Sequence, residues 1–234
     1  MYIVTGISRG LGKAIVEQLL QNSETVLGIG RLHDFSHPNF SFVSCDLGDS
    51  EAIKDLKIDL PEEPITLINN AGILGNIQRL SDQVTLDVQE VMQVNVVAPM
   101  LLLHNIYNQL SDPSSFTLVN ISSGAATRAI PSWANYCASK AALNMLTETF
   151  YLEEKEKENH PKVYAVAPGV IDTDMQVQIR ATSQTDFSSV EDFKELKASN
   201  SLYSPELAAK KLITLLREPF SGTIFHDLRT IETV

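Results

Sequence analysis

The sequence lacks features that mark several whole classes of protein. It has two cysteines, Cys45 and Cys137, which are too few for a disulfide framework and suit a reducing compartment. Its 29 acidic residues outnumber its 18 basic ones, so the formal net charge at pH 7 is −11. An acidic chain without a basic patch repels phosphate-rich surfaces. The sequence therefore predicts neither a nucleic-acid partner nor binding to an anionic membrane.

Targeting segments and metal-ligand clusters are also missing from the sequence. The chain enters an apolar run directly after Met1 without a basic stretch, and no apolar run approaches the length that spans a bilayer. We therefore expect a cytoplasmic protein. His33 and His37 are four residues apart, but they flank a predicted loop next to Pro38 and have no further ligand nearby, so no metal site is predicted.

Short apolar runs alternate with longer helical patterns. The runs cover residues 2–4, 25–29, 40–43, 65–68, 116–121, 163–167 and 223–225. Such runs are typical of a parallel sheet with helices on both faces. Between them, Leu11, Ile15 and Leu19 mark one helix, and residues 86–110 and 133–158 indicate two long ones. The sequence thus predicts a single α/β domain over residues 1–234. We expect a Rossmann-like, doubly wound parallel sheet of about seven strands.

Two later segments have predicted roles of their own. Residues 176–200 are polar and lack strand character, so we expect a mobile loop that covers a substrate site. The predicted helix over 138–152 has apolar residues on several faces, and this surplus indicates a homodimer or homotetramer. Its apolar residues are Ala142, Leu143, Met145, Leu146 and Phe150.

A glycine-rich loop follows the first apolar run and opens the first helix. Residues 5–12 read Thr-Gly-Ile-Ser-Arg-Gly-Leu-Gly. Glycines let the backbone approach a pyrophosphate, and the helix N-terminus supplies free N–H groups. The spacing is not that of a P-loop, so an ATPase is not favoured. A plain tight turn also needs glycine, but the strand–loop–helix context favours a bound dinucleotide. The predicted contacts are Gly6, Ser8, Arg9, Gly10, Leu11 and Gly12.

The residue after the second run indicates which dinucleotide is bound. That run ends at Gly30 and Arg31 rather than at an acidic residue that would accept bonds from a ribose 2′-hydroxyl. Arg31 and Arg9 could together bind a 2′-phosphate through charge-assisted bonds, which favours NADPH. Arg31 could also be an ordinary solvated loop residue, and nearby Asp34 keeps NADH open.

Tyr136 and Lys140 are the candidate catalytic pair. They lie one helical turn apart, and a lysine ammonium near a phenol is expected to lower the tyrosine pKa from about 10 toward neutrality. Such a tyrosine can give a proton to a carbonyl oxygen. The same spacing occurs by chance on ordinary helices. The polar residues Ser122 and Ser123, however, follow a predicted strand at the sheet edge where ligands bind in this architecture.

As a set, these motifs resemble the short-chain dehydrogenase/reductase family over essentially the whole chain. The matching residues are the glycine loop 5–12, Asn-Asn-Ala-Gly at 69–72, Asn95, Ser123, Tyr136, Lys140, and Pro168 with Gly169. The resemblance implies a nicotinamide cofactor, with Tyr136 as the general acid and Ser123 as the hydroxyl that orients a substrate carbonyl. It also implies that Lys140 bonds the nicotinamide ribose and that Asn95 holds the water of a proton relay.

The resemblance implies further cofactor and substrate contacts. The cofactor contacts are Asp46 and Leu47 at the adenine, Asn70, Ala71 and Gly72 along the cofactor, and Val170 and Thr173 at the nicotinamide carboxamide. Trp133 either lines the substrate pocket or packs beneath the start of its helix. Cys137, which should turn away from Tyr136 on the helix, is expected to be a buried structural thiol.

Three stretches resemble sepiapterin reductases and, more closely, bacterial benzil reductases that form (S)-benzoin. They are residues 120–124, 133–137 and 167–180. This resemblance implies NADPH-dependent reduction of a ketone or a 1,2-diketone. His226 stands where sepiapterin reductases have the acidic residue that anchors the pterin, which disfavours a pteridine substrate. A non-catalytic NADP(H)-sensing protein and an epimerase or dehydratase remain as alternatives.

Overall fold

The structure, a computed structural model, describes residues 1–233. Within them a parallel seven-stranded sheet has helices on both faces, which confirms the predicted fold. The strands are β1 (Tyr2–Thr5), β2 (Val26–Gly30), β3 (Phe40–Ser44), β4 (Ile65–Asn69), β5 (Phe116–Ile121), β6 (Lys162–Ala167) and β7 (Phe225–Asp227). Their order is β3-β2-β1-β4-β5-β6-β7. The order reverses between β1 and β4, so the ligand crevice is expected beyond their carboxyl ends.

Eight α-helices connect the strands of the described chain. They are α1 (Gly10–Gln21), α2 (Ser50–Lys54), α3 (Thr85–Met92), α4 (Ala98–Tyr107), α5 (Ala134–Glu154), α6 (Asp174–Ala181), α7 (Val190–Ala198) and α8 (Pro205–Arg217). Short 3-10 turns lie at Leu80–Asp82, Pro113–Ser115, Gly124–Ala126 and Leu228–Thr230.

Successive residues of the central strands pack on opposite faces of the sheet, which explains why the runs are continuously apolar. Ile3 and Leu118 belong to the core under α4, whereas their neighbours Val4 and Val119 belong to the core under α1 and α8. All four are fully buried. A strand with one solvated face would alternate apolar and polar residues instead.

The predicted long helix over 86–110 is not one regular helix. A π-helical turn, Gln93–Val97, separates α3 from α4, and the N–H of Ala98 bonds the carbonyl of Gln93, five residues back. Pro99 explains the widened turn, because it has no N–H for the carbonyl of Asn95 and its ring would clash there. The continuous run Thr85–Tyr107 also has the length and hydropathy of a membrane span, contrary to the sequence-based expectation. It packs into the core through Leu102 and Ile106.

The prediction of a loop over 176–200 was wrong. Most of this segment is helical, in α6 and α7, and its apolar side chains Ile179, Phe187 and Val190 are buried against Trp133 and Tyr136. These few apolar residues are too widely spaced to stand out in a polar sequence. The last strand was also misplaced by two residues, because the apolar Ile224 precedes the paired segment Phe225–Asp227.

Candidate active site

The glycine loop and the end of β4 are joined at the point where the strand order reverses. The hydroxyl of Thr5 accepts the N–H groups of Asn70 and Ala71, each at 3.0 Å. The Asn70 side-chain amide donates to the carbonyls of Thr5 at 2.9 Å and Gly6 at 3.2 Å. These bonds fix the loop against residues 70–72, which were predicted to line the cofactor. Thr5 was not among the predicted residues, although a hydroxyl at a strand end is a visible signal.

The loop fits the phosphates of a dinucleotide. Gly6 and Gly10 have positive φ angles of 69° and 56°, which L-residues with a side chain rarely adopt. The first turn of α1 has no acidic residue, and its N-cap, Arg9, makes no side-chain capping bond. The amides of that turn are therefore available to an anion, and the helix dipole favours one there.

Gly12 has no space for a side chain. A Cβ at this position would lie 2.2 Å from the carbonyl oxygen of Gly6 and 2.4 Å from Nδ2 of Asn70. We expect Gly12→Ala to distort the loop, to lower the affinity for a nicotinamide cofactor about 10-fold or more and to destabilise the fold by about 1–3 kcal/mol. Fluorescence titration and thermal unfolding measure the two effects. The control is Gly30→Ala, because a Cβ there has no neighbour within 4 Å; equal behaviour of the two variants would contradict the prediction.

The two predicted phosphate-binding arginines lie at the exposed rim of the site. Arg31 follows β2 and is exposed. Arg9 pairs with Asp174 at the start of α6, with Nη1 and Oδ2 3.1 Å apart. Both partners are largely exposed, and exposed ion pairs stabilise by about 0–1 kcal/mol, so Arg9 can exchange this partner for a phosphate. The carboxylate of Asp34 accepts a bond from Lys13, which lowers the pKa of Asp34.

Tyr136 and Ser123 lie near each other at the carboxyl edge of the sheet. Ser123 Oγ accepts the N–H of Ala125 at 3.1 Å, and the nearby Ser123 hydroxyl lowers the pKa of Tyr136. Burial has the larger effect and raises the pKa of Tyr136 to about 12. The phenol is therefore protonated at neutral pH.

Lys140 does not lower the pKa of Tyr136 in this arrangement, so that expectation was wrong. Its ammonium lies 5.8 Å from the centroid of the Tyr136 ring and donates to the carbonyl of Ile121 at 2.8 Å. Burial lowers the pKa of Lys140 to about 8 because desolvation disfavours the charged form. A Cβ on Gly72 would lie 3.4 Å from Lys140 Nζ, so a small residue at 72 keeps this side of the lysine open to a ligand.

The side chain of Asn95 is fully engaged. Its Oδ1 accepts the N–H of Ile73 at 2.8 Å, and its Nδ2 donates to the Ile73 carbonyl at 2.8 Å and to Ser139 Oγ at 3.0 Å. A water at Asn95 would therefore be held by the main-chain carbonyl of Asn95. In a regular α-helix this carbonyl would accept the N–H of residue 99, but Pro99 has no N–H to donate. Ser139 lies inside the Tyr136–Lys140 motif but was not among the predicted site residues.

The remaining predicted cofactor residues surround the same edge. Asp46 follows β3 and caps a turn by accepting the N–H of Gly48 at 2.9 Å, while its neighbour Leu47 is buried. Thr173 is the N-cap of α6, and its Cγ2 lies 3.2 Å from the position of a Cβ on Gly10. The main-chain carbonyl of Val170 accepts the N–H of Tyr203 at 3.0 Å.

Trp133 lies beside Tyr136 and is 7% exposed. Its ring meets that of Tyr136 edge-on, with centroids 5.8 Å apart, and stacks on Phe187 at 5.4 Å. Its Nε1 is buried and has no hydrogen-bond partner within the described residues. Cys137 is partly buried, with Sγ 3.8 Å from the carbonyl of Arg128.

Residues outside the site have other partners. His33 packs against Phe40 and Phe42, and His37 accepts the N–H of Asn39. Within residues 1–233, no group of three or more His, Cys, Asp or Glu side chains is placed to hold a metal ion. At the C-terminal side, His226 bonds the carbonyl of Thr223, and the neighbouring Asp227 pairs with Arg229.

Comparisons with known proteins agree with this geometry. The family model described as "short chain dehydrogenase" matches residues 1–184. The chain is 36% identical to a benzil reductase ((S)-benzoin forming) of Bacillus subtilis (strain 168), over 98% of each chain. It is 31% identical to sepiapterin reductase of Bos taurus, over 92% of this chain and 88% of that one. The solved structure of the YIR035C short chain dehydrogenase/reductase of Saccharomyces cerevisiae superposes with a TM-score of 0.79 at 27% identity, over 97% and 95% of the two chains.

Proposed function

Because the chain belongs to the short-chain dehydrogenase family, an oxidoreductase family that uses nicotinamide cofactors, we propose that it is an NADPH-dependent carbonyl reductase. Its substrate is a ketone or a 1,2-diketone, with benzil to (S)-benzoin as the model reaction, and it acts in the cytoplasm. The observation that carries the proposal is the buried phenol of Tyr136, which lies near the Ser123 hydroxyl and beside a loop that fits a dinucleotide.

The mechanism assigns a role to each residue of the site. When bound, NADPH supplies the hydride that the carbonyl carbon receives. Ser123 and Tyr136 donate hydrogen bonds to the carbonyl oxygen, which stabilises the negative charge that develops there. Tyr136 then transfers its proton to that oxygen. When a nicotinamide cofactor is bound, Lys140 would bond its ribose, and the main-chain carbonyl of Asn95 would hold the water that returns a proton to Tyr136.

An apolar substrate fits the surroundings of Tyr136. The side chains of Leu74, Ile77, Trp133 and Ile179 form one buried cluster with it. Helices α6 and α7 complete this cluster, and α6 is attached to the rest of the site by Arg9 and by a bond from Gln178 to the carbonyl of Gly75. We therefore assign to the segment 176–200 the role of the substrate cover, as two helices instead of a loop.

Arg31 is expected to decide the cofactor. In Arg31→Asp, a 2′-phosphate loses a charge-assisted bond worth about 1.5–3 kcal/mol and meets a negative charge. We expect KM for NADPH to rise about 10- to 100-fold while KM for NADH stays within a factor of about three. Steady-state kinetics with both cofactors test this. The charge-retaining control Arg31→Lys should lose less than about 10-fold; an unchanged NADPH preference in Arg31→Asp would exclude the role.

Specific contacts also bear on the alternatives. A pteridine substrate is disfavoured because His226 and Asp227, which lie where an acidic anchor would be, are engaged with Thr223 and Arg229. A pure NADP(H) sensor would not need the protonated Tyr136 next to Ser123. Epimerase or dehydratase chemistry would give a product at an unchanged oxidation level.

Homo-oligomerisation, as a dimer or tetramer, is supported by Met145 and Leu152, which are 63% and 44% exposed on α5.

One assay separates these functions. Loss of NADPH absorbance is followed with benzil, other vicinal diketones, simple aromatic ketones and sepiapterin, and each reaction is repeated with NADH. We expect rapid oxidation of NADPH with benzil and identification of benzoin as the product. Tight NADPH binding without turnover of any carbonyl would favour the sensor instead.

A further inference from the structure

The indole nitrogen of Trp133 is a buried donor without a partner among the described residues. A buried N–H without a hydrogen bond costs about 1–3 kcal/mol, and such groups in native proteins nearly always have a partner or a functional reason. Packing against Phe187 accounts for the ring of Trp133 but leaves its buried N–H unexplained.

The position of Trp133 indicates what the donor binds. It precedes Tyr136 by one helical turn, and the two rings are in contact. Its other neighbours in the cluster are apolar, including Phe187 and Phe193 at ring distances of 5.4 Å. A ligand that reaches the phenol of Tyr136 therefore also lies close to the Trp133 ring and can supply the polar atom that the indole lacks.

We propose that Trp133 Nε1–H donates to the second carbonyl oxygen of a vicinal diketone while Tyr136 and Ser123 bind the oxygen that is reduced. This assignment rests on the proposed function and deepens it. It makes Trp133 a specificity residue that distinguishes a 1,2-diketone from a simple ketone. A site built around a polar group rejects an analogue that lacks it, because the donor is then left buried and unpaired.

The test compares two substrates of the same size. Benzil has two adjacent carbonyls, and deoxybenzoin has a methylene in place of one of them. We expect Trp133→Phe to lower kcat/KM for benzil about 10-fold or more and to change kcat/KM for deoxybenzoin less than about threefold. Each substrate is compared with itself in the two proteins, so the greater intrinsic reactivity of the diketone does not affect the comparison. Trp133 is the only tryptophan of the chain, so biosynthetic replacement of tryptophan by benzothienylalanine removes this N–H alone while keeping the bicyclic ring. It should give the same split even if Trp133→Phe folds poorly.

The control variant is Phe187→Leu, which removes the ring that stacks on Trp133 and leaves the indole N–H in place. It should affect both substrates equally. If Trp133→Phe and the benzothienyl protein lower both substrates to the same extent, or neither, the inference is overturned and the proposed function stands. If the unmodified protein oxidises NADPH with neither of these two substrates nor any other carbonyl of the panel, the proposed function itself is wrong.

Discussion

Replacing Tyr136 by phenylalanine is expected to lower kcat/KM for carbonyl reduction by about 10³-fold, because the variant has no proton to give to the substrate oxygen. General acids contribute about 10²- to 10⁴-fold in enzymes. The phenyl ring keeps its edge-on contact with Trp133, so the fold and the affinity for NADPH, measured by fluorescence titration, should change little.

Tyr164 provides the matched control for this variant. It is also a buried tyrosine, but it lies on β6 in the core shared with α1 and α8, away from Ser123. Tyr164→Phe should keep normal turnover although it loses the same hydroxyl group. Turnover of Tyr136→Phe close to that of the unmodified protein would exclude the mechanism.

Lys140→Met is expected to stabilise the fold and to reduce turnover about 10²-fold. Burial lowers the pKa of Lys140 from its ordinary 10.5 to about 8, so at pH 7 the charged ammonium costs the native state on the order of 3 kcal/mol. Loss of the bond to the Ile121 carbonyl offsets about 1–2 kcal/mol of the gain. The net gain corresponds to a rise in Tm of about 5 °C at pH 7.

The pH dependence of this stabilisation has a definite sign. Between pH 8 and pH 10.5 the unfolded chain binds the Lys140 proton while the native state has lost it, so the stability of the unmodified protein rises with pH in this window. The advantage of Lys140→Met should therefore shrink above pH 8. Thermal unfolding of both proteins across that range measures the difference in stability. The control for turnover is Lys211→Met, which replaces a buried lysine remote from Tyr136 and should leave turnover unchanged. An equal or lower Tm for Lys140→Met at pH 7 would contradict a buried charge at this position.

Local sequence patterns were sufficient to predict the sheet. Each strand buries side chains on both faces, and a continuous apolar run is a strong local signal. The π-helical turn and the helices of 176–200 were missed because they depend on weaker signals. Pro99 acts on a carbonyl four residues earlier, and Ile179, Phe187 and Val190 find their partners only in the folded chain.

The residues of the candidate site could be predicted from the sequence, but their pKa values could not. The spacing of Ser123, Tyr136 and Lys140 follows from strand and helix geometry, so a motif can identify them. Their pKa values depend on burial and on partners distant in sequence, such as the carbonyl of Ile121. For this reason the expected direction of the Tyr136 shift was wrong. Ser139, which bonds Asn95, was overlooked for the same reason.

Helix α6 is held in place by residues other than those proposed to act on the carbonyl. The helix is joined to the glycine loop and to Gly75 by exposed polar contacts, which are cheap to break, whereas its inner face covers a tyrosine that is 7% exposed. If α6 covers the substrate, as proposed, its opening breaks these two contacts and none that belong to the groups proposed to act on the carbonyl. Substitutions at Asp174 and Gln178 are therefore expected to change substrate access while those groups stay in place.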